Sequence, residues 1–170
     1  LLRMQRKSLA EVLVKGASCF LAVESLQDPG NLGTMLRAGE GAGLSAILAN
    51  RGTVDIYNPK VIRATMGSIF RIPVVYADDW LAALRELSAN HVSLYAAALQ
   101  ASVPYDSIDY PEKTAFLIGN EAAGLTAETI AMADQSIHIP MLGQVESLNA
   151  AVAASVLLYE RARQRRRGAR

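Results

Sequence analysis

The chain has 170 residues, of which 51% are hydrophobic and 19% charged, with one cysteine and a net charge of +1. This composition excludes a disordered chain, and a single cysteine excludes a disulfide framework and a cysteine-based metal site. No apolar run reaches the roughly 18 residues of a membrane-spanning helix, so we expect neither a membrane nor a metal as a partner. The lone Cys19 fits a reducing compartment, which favours a cytoplasmic location.

Short apolar runs alternate with amphipathic segments from residue 18 to residue 163. In chain order, we predict a strand at 19–23, a helix at 31–41, a strand at 45–49, a helix at 59–66, a strand at 72–76, a helix from Asp78 through 87, strands at 92–97 and 115–118, a short helix capped by Thr126, a strand at 137–139 and a last helix from Ser147 or Asn149 to about 163. This alternation predicts an α/β fold with a mostly parallel sheet and helices on both faces. Pro73 places its strand at an edge or makes it a strand start.

Three polar or glycine-rich segments follow predicted strands, where parallel sheets bind ligands. The first, residues 27–39, opens a helix that Asn31 can cap, and the free N–H groups there favour an anion. Arg37 lies nearly two turns further along this helix. The alternative is a capping asparagine with a solvent-facing arginine.

The second segment is a turn directly after a buried strand. Gly119 permits close approach of the backbone to a ligand, and Glu121 offers an acceptor or a proton-transfer group. A tight turn with a capping acid is the alternative. In the third segment, residues 139–149, Ser147 and Asn149 are good cap residues, while Met141 and Leu142 offer an apolar wall for a base or a thioether.

Together these segments resemble the signature motifs of the SpoU (TrmH-like) RNA ribose 2′-O-methyltransferases, in the SPOUT superfamily. The residues that carry the resemblance, in matching order and spacing, are Asn31, Gly33, Arg37, Gly119, Asn120, Glu121, Gly124, Ile139, Pro140, Ser147, Leu148 and Asn149. The resemblance implies a SPOUT fold with a C-terminal trefoil knot, which general topology rules disfavour. It also implies a homodimer with active sites at the subunit interface and S-adenosylmethionine as the cofactor.

The same resemblance implies roles for individual residues. Arg37 would stabilise the developing alkoxide and hold a phosphate, since guanidinium is effectively always protonated. Asn31, Glu121 and Asn149 would complete the catalytic set, with Arg37 and Glu121 converging around the methyl donor. The expected cofactor-binding residues are Ala98, Leu99, Gly119, Asn120, Ile139, Met141, Ser147 and Leu148.

The domain organisation that we expect has three parts. Residues 1–17 are a linker or arm to an N-terminal RNA-binding domain outside this chain, 18–163 the catalytic domain, and 164–170 a basic tail. The segment 161–170 holds six arginines and no acid, whereas residues 1–160 hold 11 basic and 16 acidic side chains. Such a tail is typical of phosphate contact, or of a solvated helix end. The expected partner is RNA, with ribosomal RNA favoured over transfer RNA, bound through arginines of 161–170, the arm, and Arg63 or Arg71.

Three other functions remain open from the sequence. A Rossmann-type nucleotide enzyme would need a glycine fingerprint after the first strand, and the glycines at 39, 41 and 43 instead close a helix. A catalytically silent RNA-binding module would keep the fold without the reaction. Methylation of a base rather than a ribose is the third, which the pairing of Asn31 with Arg37 disfavours.

Overall fold

A computed structural model describes residues 7–100 and 102–168. Within them lie seven strands: β1 (Cys19–Val23), β2 (Ala46–Asn50), β3 (Val74–Ala77), β4 (Ser93–Ala97), β5 (Val103–Pro104), β6 (Thr114–Ile118) and β7 (Gln135–His138). They form one sheet in the order β3-β2-β1-β6-β4-β7-β5, and every neighbouring pair is parallel. The predicted parallel sheet is therefore confirmed, and β3, the strand after Pro73, lies at an edge.

The same residues contain six α-helices: α1 (Leu9–Val14), α2 (Pro29–Gly41), α3 (Pro59–Ala64), α4 (Trp80–Ala89), α5 (Ala127–Ala131) and α6 (Ala150–Gly168). Short 3₁₀ helices occupy Ser68–Phe70 and Tyr105–Ser107. Two of these elements depart from the sequence prediction. Helix α1 lies inside the segment interpreted as an arm, and α6 continues through most of the basic tail; residues 1–6 and 169–170 of the two segments lie outside the described residues.

The central strands β1 and β6 are buried on both faces because helices cover both sides of the sheet. Alternate side chains of a strand point to opposite faces. Leu21 and Phe116 therefore share one core with side chains of α2, α3 and α6, whereas Phe20 and Leu117 share the other with side chains of α1 and α4. All four strand residues are fully buried. The prediction of helices on both faces is confirmed, and the knot stays a prediction.

The start of α2 differs from the sequence prediction in a way that matters for the site. Asp28, not Asn31, is the N-cap: its carboxylate accepts a hydrogen bond of 2.8 Å from the backbone N–H of Asn31. The prediction that Asn31 caps this helix is therefore wrong, and both residue types are good caps. Asn31 lies in the first turn with its side chain free for other contacts. Helix α4 similarly takes Asp79 as its cap instead of Asp78.

Gly33, a residue of the first motif, serves the packing of α2 on α3. A Cβ at this position would lie 2.4 Å from the Cβ of Ala64 and 3.0 Å from the backbone oxygen of Val61. Any side chain there would push the two helices apart. The motif glycine therefore sets the position of α2, and with it the position of Asn31, without contacting the site itself.

Candidate active site

The first two motifs meet because β1 and β6 are neighbours. Their pairing ends with Val23 opposite Ile118, so the segments that follow both strands leave the same edge of the sheet. The side-chain amide of Asn120 donates a hydrogen bond of 2.8 Å to the backbone oxygen of Ser25. This contact fixes the turn after β6 against the segment that leads into α2.

Glu121 receives three hydrogen bonds from the first motif. Its Oε2 accepts from the backbone N–H of Gln27 at 3.1 Å, and its Oε1 accepts from the backbone N–H of Asp28 at 3.0 Å and from Nδ2 of Asn31 at 2.9 Å. Burial raises the pKa of this carboxyl, but the hydrogen bonds from Asn31, Asp28 and Gln27 together lower it by more than burial raises it. The pKa therefore lies below its usual value. A carboxylate with a lowered pKa is a weak general base. The geometry suits Glu121 to holding Asn31 in place.

Asn149 extends this network to the third motif. Its Oδ1 accepts from the backbone N–H groups of Ala151 at 2.9 Å and Val152 at 3.3 Å, which caps α6, and its Nδ2 donates to Oδ1 of Asn31 at 2.9 Å. The carboxylate of Glu121 requires a donor from Asn31, and the first N–H groups of α6 require an acceptor from Asn149. These two ends fix the orientation of both amides, so Asn31, which is 8% exposed, is held in a single hydrogen-bonding state.

Replacing Asn149 with aspartate tests the network separately from the cap. Aspartate keeps an oxygen for the N–H groups of α6 but has no donor for Oδ1 of Asn31, and it places a negative charge opposite that oxygen. We expect methyl transfer, the reaction proposed below, to slow about 10- to 100-fold, with the free energy of unfolding changed by about 1 kcal/mol or less. Single-turnover rates and urea unfolding of Asn149→Asp, with Asn149→Ser as a cap-retaining control that adds no charge, measure the two effects. A wild-type rate in Asn149→Asp would mean that Asn149 serves only as the N-cap of α6.

The turn after β6 is closed on itself. Asn120 and Gly124 exchange two backbone hydrogen bonds of 3.0 and 2.9 Å, and Oδ1 of Asn120 accepts from the N–H groups of Ala122 and Ala123 at 2.9 Å. A Cβ on Gly119 would lie 2.1 Å from the carbonyl carbon of Gly124. Gly119 therefore permits a close approach to the backbone of Gly124, whereas the sequence suggested a close approach to a ligand.

Beside this network lies a cavity of about 500 Å³. All the residues expected to bind the cofactor line it: Ala98, Leu99, Gly119, Asn120, Ile139, Met141, Ser147 and Leu148. Sequence analysis missed further lining residues, including Leu125, Ile130, Ile137 and Leu157, because in the sequence such apolar residues are indistinguishable from core residues. The charged residues in the described lining are Glu121 and Glu146, with no lysine or arginine. The cavity therefore suits a ligand with an apolar body and positive charge better than one that carries phosphates.

Arg37 does not join this network within one chain. Its side chain is exposed, and within residues 7–100 and 102–168 it has no hydrogen bond or ion pair. Six helical positions place it about 9 Å along the axis from Asn31 and about 120° around it. It shares a helix face with Gly41, where a Cβ would lie 2.7 Å from the hydroxyl of Tyr159 in α6. A single chain therefore presents Arg37 towards solvent beside α6.

The arginines that were expected to contact phosphate differ in burial and in their partners. Arg161 is 5% exposed and donates hydrogen bonds to the backbone oxygens of Ser18 and Glu112, so the prediction that it contacts phosphate is wrong. Arg71 pairs with Glu40, and this interaction, with a hydrogen bond from Ser68, lowers the pKa of Glu40 to about 2. The exposed arginines of α6 are Arg165, Arg166 and Arg167.

Over the described part of the chain, no group of three or more His, Cys, Asp or Glu side chains is arranged to hold a metal ion. None of the helices in residues 7–100 and 102–168 has both the length and the apolar character needed to span a bilayer.

Known proteins share both the sequence and the fold. The model of the SpoU rRNA Methylase family matches residues 18–159. The 23S rRNA (guanosine(2553)-2′-O)-methyltransferase RlmP of Bacillus subtilis is 44% identical over 145 residues, 82% of this chain and 56% of that protein. The 23S rRNA (guanosine-2′-O-)-methyltransferase RlmB of Bordetella pertussis is 35% identical over 167 residues, 95% of this chain and 68% of that protein.

The crystal structure of the SpoU methyltransferase AviRb from Streptomyces viridochromogenes in complex with AdoMet superposes with a TM-score of 0.89 and 29% sequence identity, covering 97% of this chain and 67% of that one. The chain thus spans about half to two thirds of the length of these relatives. The family match covers all three motifs and the strands that position them. This chain belongs to the SpoU rRNA methylase family.

Proposed function

We propose that the chain is the catalytic part of an S-adenosylmethionine-dependent enzyme that methylates a ribose 2′-hydroxyl of ribosomal RNA. The observation that carries the proposal is the cavity beside the Glu121–Asn31–Asn149 network, whose charged side chains are carboxylates. Relatives named as 23S rRNA 2′-O-methyltransferases support the reaction and the RNA class. We assign residues 18–163 to the catalytic domain and 164–170 to a basic extension, and we also propose a cytoplasmic location.

The residues of the cavity fit S-adenosylmethionine. Its volume lies within the usual range of about 300–1,000 Å³ for small-ligand sites. Apolar side chains suit the adenine ring and the methionine chain, and Glu121 and Glu146 complement the positive charge of a sulfonium or an amine. A dinucleotide would bring two phosphates against those carboxylates, which disfavours a Rossmann-type enzyme.

In the proposed reaction the cofactor supplies a methyl group on a positively charged sulfur. The protein aligns the ribose oxygen with that carbon, and such alignment provides much of the rate enhancement. Arg37 binds the phosphate next to the target ribose and stabilises the negative charge that develops on the 2′-oxygen as the hydroxyl proton leaves to water. Glu121 and Asn149 each take one hydrogen bond of the Asn31 amide and so fix its position. The second N–H of this amide is then presented to the nucleotide.

We further propose that the enzyme acts as a homodimer in which Arg37 completes the site of the partner subunit. Arg37 is exposed and lies apart from Glu121 in one chain. Several large apolar side chains of α6 and of the loop before it are also exposed: Leu142, Val145, Val152 and Tyr159. Exposed apolar side chains of this size favour a protein–protein contact. A dimer over this surface would bury them and bring Arg37 to a second active site.

The arginines of α6 are proposed to hold RNA phosphates. We expect the triple variant Arg165→Gln, Arg166→Gln and Arg167→Gln to bind rRNA fragments more weakly and to flatten the salt dependence of binding. Each lost phosphate contact reduces the slope of log K against log salt by about 0.7–0.9. Fluorescence anisotropy from 50 to 300 mM salt measures this slope, and an unchanged slope would assign these arginines to another role.

The reaction is tested with the chain, radiolabelled S-adenosylmethionine and 23S rRNA fragments, followed by mapping of 2′-O-methyl positions. Thermal stabilisation by S-adenosylhomocysteine but not by NAD⁺ is the expected binding result. Label on a base, or stabilisation by NAD⁺ alone, would contradict the proposal. RNA binding without label transfer would favour a catalytically silent module.

A further inference from the structure

Glu24 is a buried carboxylate that the proposed mechanism does not use. It follows β1 directly and is 5% exposed. Its Oε2 accepts from the backbone N–H of Thr126 at 2.9 Å, and its Oε1 accepts from the hydroxyls of Thr126 at 2.9 Å and Thr129 at 2.8 Å. A buried charge is tolerated only with good hydrogen-bond partners. Glu24 has three, and all of them come from one segment.

That segment is the exit of the turn that carries Glu121. The turn, residues 119–125, leaves β6 at its start and reaches Thr126, the N-cap of α5, at its end. Hydrogen bonds within the turn and from Asn120 to Ser25 fix its first half. Glu24 fixes the second half by holding Thr126. The two ends of the turn are thus fastened by consecutive residues, Glu24 and Ser25.

The anchored segment borders the cavity as well as Glu121. Leu125 and Ile130, on either side of Thr126, both line the cavity. The hydroxyl of Thr129 also accepts a hydrogen bond of 2.8 Å from the indole N–H of Trp80 in α4, which ties α5 to α4. Movement of Thr126 would therefore shift both the cavity wall and the carboxylate that orients Asn31.

We propose that Glu24 is a positioning residue for the methyl-transfer reaction, an inference that rests on the proposed function. Its carboxylate anchors Thr126 so that Glu121 keeps its hydrogen bonds to Gln27, Asp28 and Asn31. In Glu24→Gln the carboxamide oxygen can accept from the backbone N–H of Thr126, but its N–H groups then face the hydroxyls of Thr126 and Thr129. These hydroxyls already accept from the backbone N–H of Thr129 and from the indole N–H of Trp80, so both hydroxyl hydrogens lose the carboxylate oxygen to which they donate.

The test compares Glu24→Gln with Ser45→Ala. Ser45 accepts two backbone hydrogen bonds, from Ser18 at 3.1 Å and Cys19 at 3.2 Å, at the opposite end of β1, so it controls for loss of stability. We expect the single-turnover rate of Glu24→Gln at saturating S-adenosylmethionine and rRNA to fall at least about tenfold. Hydrogen exchange at the backbone amides of Gln27 and Asp28 should accelerate at least about tenfold, because they lose Glu121 as acceptor. Ser45→Ala should retain both wild-type values.

Thr126 provides a second pair of variants in case Glu24→Gln does not fold. Thr126→Ser keeps the hydroxyl and should retain the wild-type rate, whereas Thr126→Val should show the loss. Unchanged exchange at Gln27 and Asp28, or an equal fall in rate in Ser45→Ala, would overturn the anchoring role. An inactive wild-type chain would count against the proposed function alone, since the exchange measurement decides the role of Glu24 without a reaction.

Discussion

Replacing Arg37 with alanine is expected to slow methyl transfer by about 10²- to 10³-fold, the usual effect of removing one group that stabilises a developing oxyanion. The affinity for S-adenosylhomocysteine should stay within about twofold of wild type, because Arg37 does not line the cavity. The free energy of unfolding should change by no more than about 0.5 kcal/mol, since the side chain is exposed. Single-turnover rates, isothermal titration and urea unfolding measure the three quantities.

Arg85→Ala is the matched control, because Arg85 is also exposed on a helix, α4, but that helix covers the other face of the sheet. It should keep the wild-type rate. An Arg37→Ala enzyme as fast as Arg85→Ala would remove Arg37 from the mechanism.

A mixing experiment decides which subunit supplies Arg37. Arg37→Ala and Glu121→Ala proteins are each inactive if both residues are needed. If Arg37 acts on the partner's site, a mixed dimer contains one site with an intact Arg37 and an intact Glu121, so mixing restores up to about a quarter of the wild-type rate. If Arg37 acts within its own chain, mixing restores nothing. The second result would contradict the proposed arrangement while leaving the reaction itself in place.

Replacing Gly119 with alanine should have the second large effect. The added Cβ would lie 2.1–2.3 Å from backbone atoms of Gly124 and Leu125, and a backbone cannot give way as a flexible side chain can. The turn must therefore move, and it carries both Glu121 and one wall of the cavity. We expect S-adenosylhomocysteine to bind at least about 100-fold more weakly, with a loss of about 1–3 kcal/mol in the free energy of unfolding.

Gly143→Ala is the control for this substitution. A Cβ on Gly143 meets no atom within 4 Å, so its stability should equal that of wild type. Calorimetric binding and chemical unfolding of both variants give the comparison. Tight binding by Gly119→Ala would mean that the turn can reshape without affecting the cavity.

The layer architecture could be predicted for a physical reason, because apolar runs alternate with amphipathic segments along the chain. Asn31, Glu121 and Asn149 were predicted from the resemblance to the SpoU family, and in the structure Asn31 contacts the other two. Strand order could not be predicted in the same way, because it depends on contacts between residues far apart in the chain. The cap of α2 was misassigned since Asp28 and Asn31 are equally good cap residues.

Two further residues show where sequence reasoning stops. Arg161 sits in a run of arginines and is identical in kind to its neighbours, yet it is the one whose helical position turns it towards the start of β1. Glu24 sits next to a buried strand with no motif around it, and its three donors lie more than 100 positions away. The role of each residue depends on its hydrogen-bond partners, and these are known only from the folded structure.

The hydrogen bond between Asn31 and Asn149 joins residues 118 positions apart, which has a consequence for synthesis. A chain emerging from the ribosome presents Asn31 and Glu121 well before the last helix exists. Until that helix is released and docked, the amide of Asn31 lacks one of its two fixed partners and the cavity lacks the wall that includes Leu157. Translation products that lack α6 should therefore be inert, and competence for catalysis should arise only after α6 has been synthesised and docked.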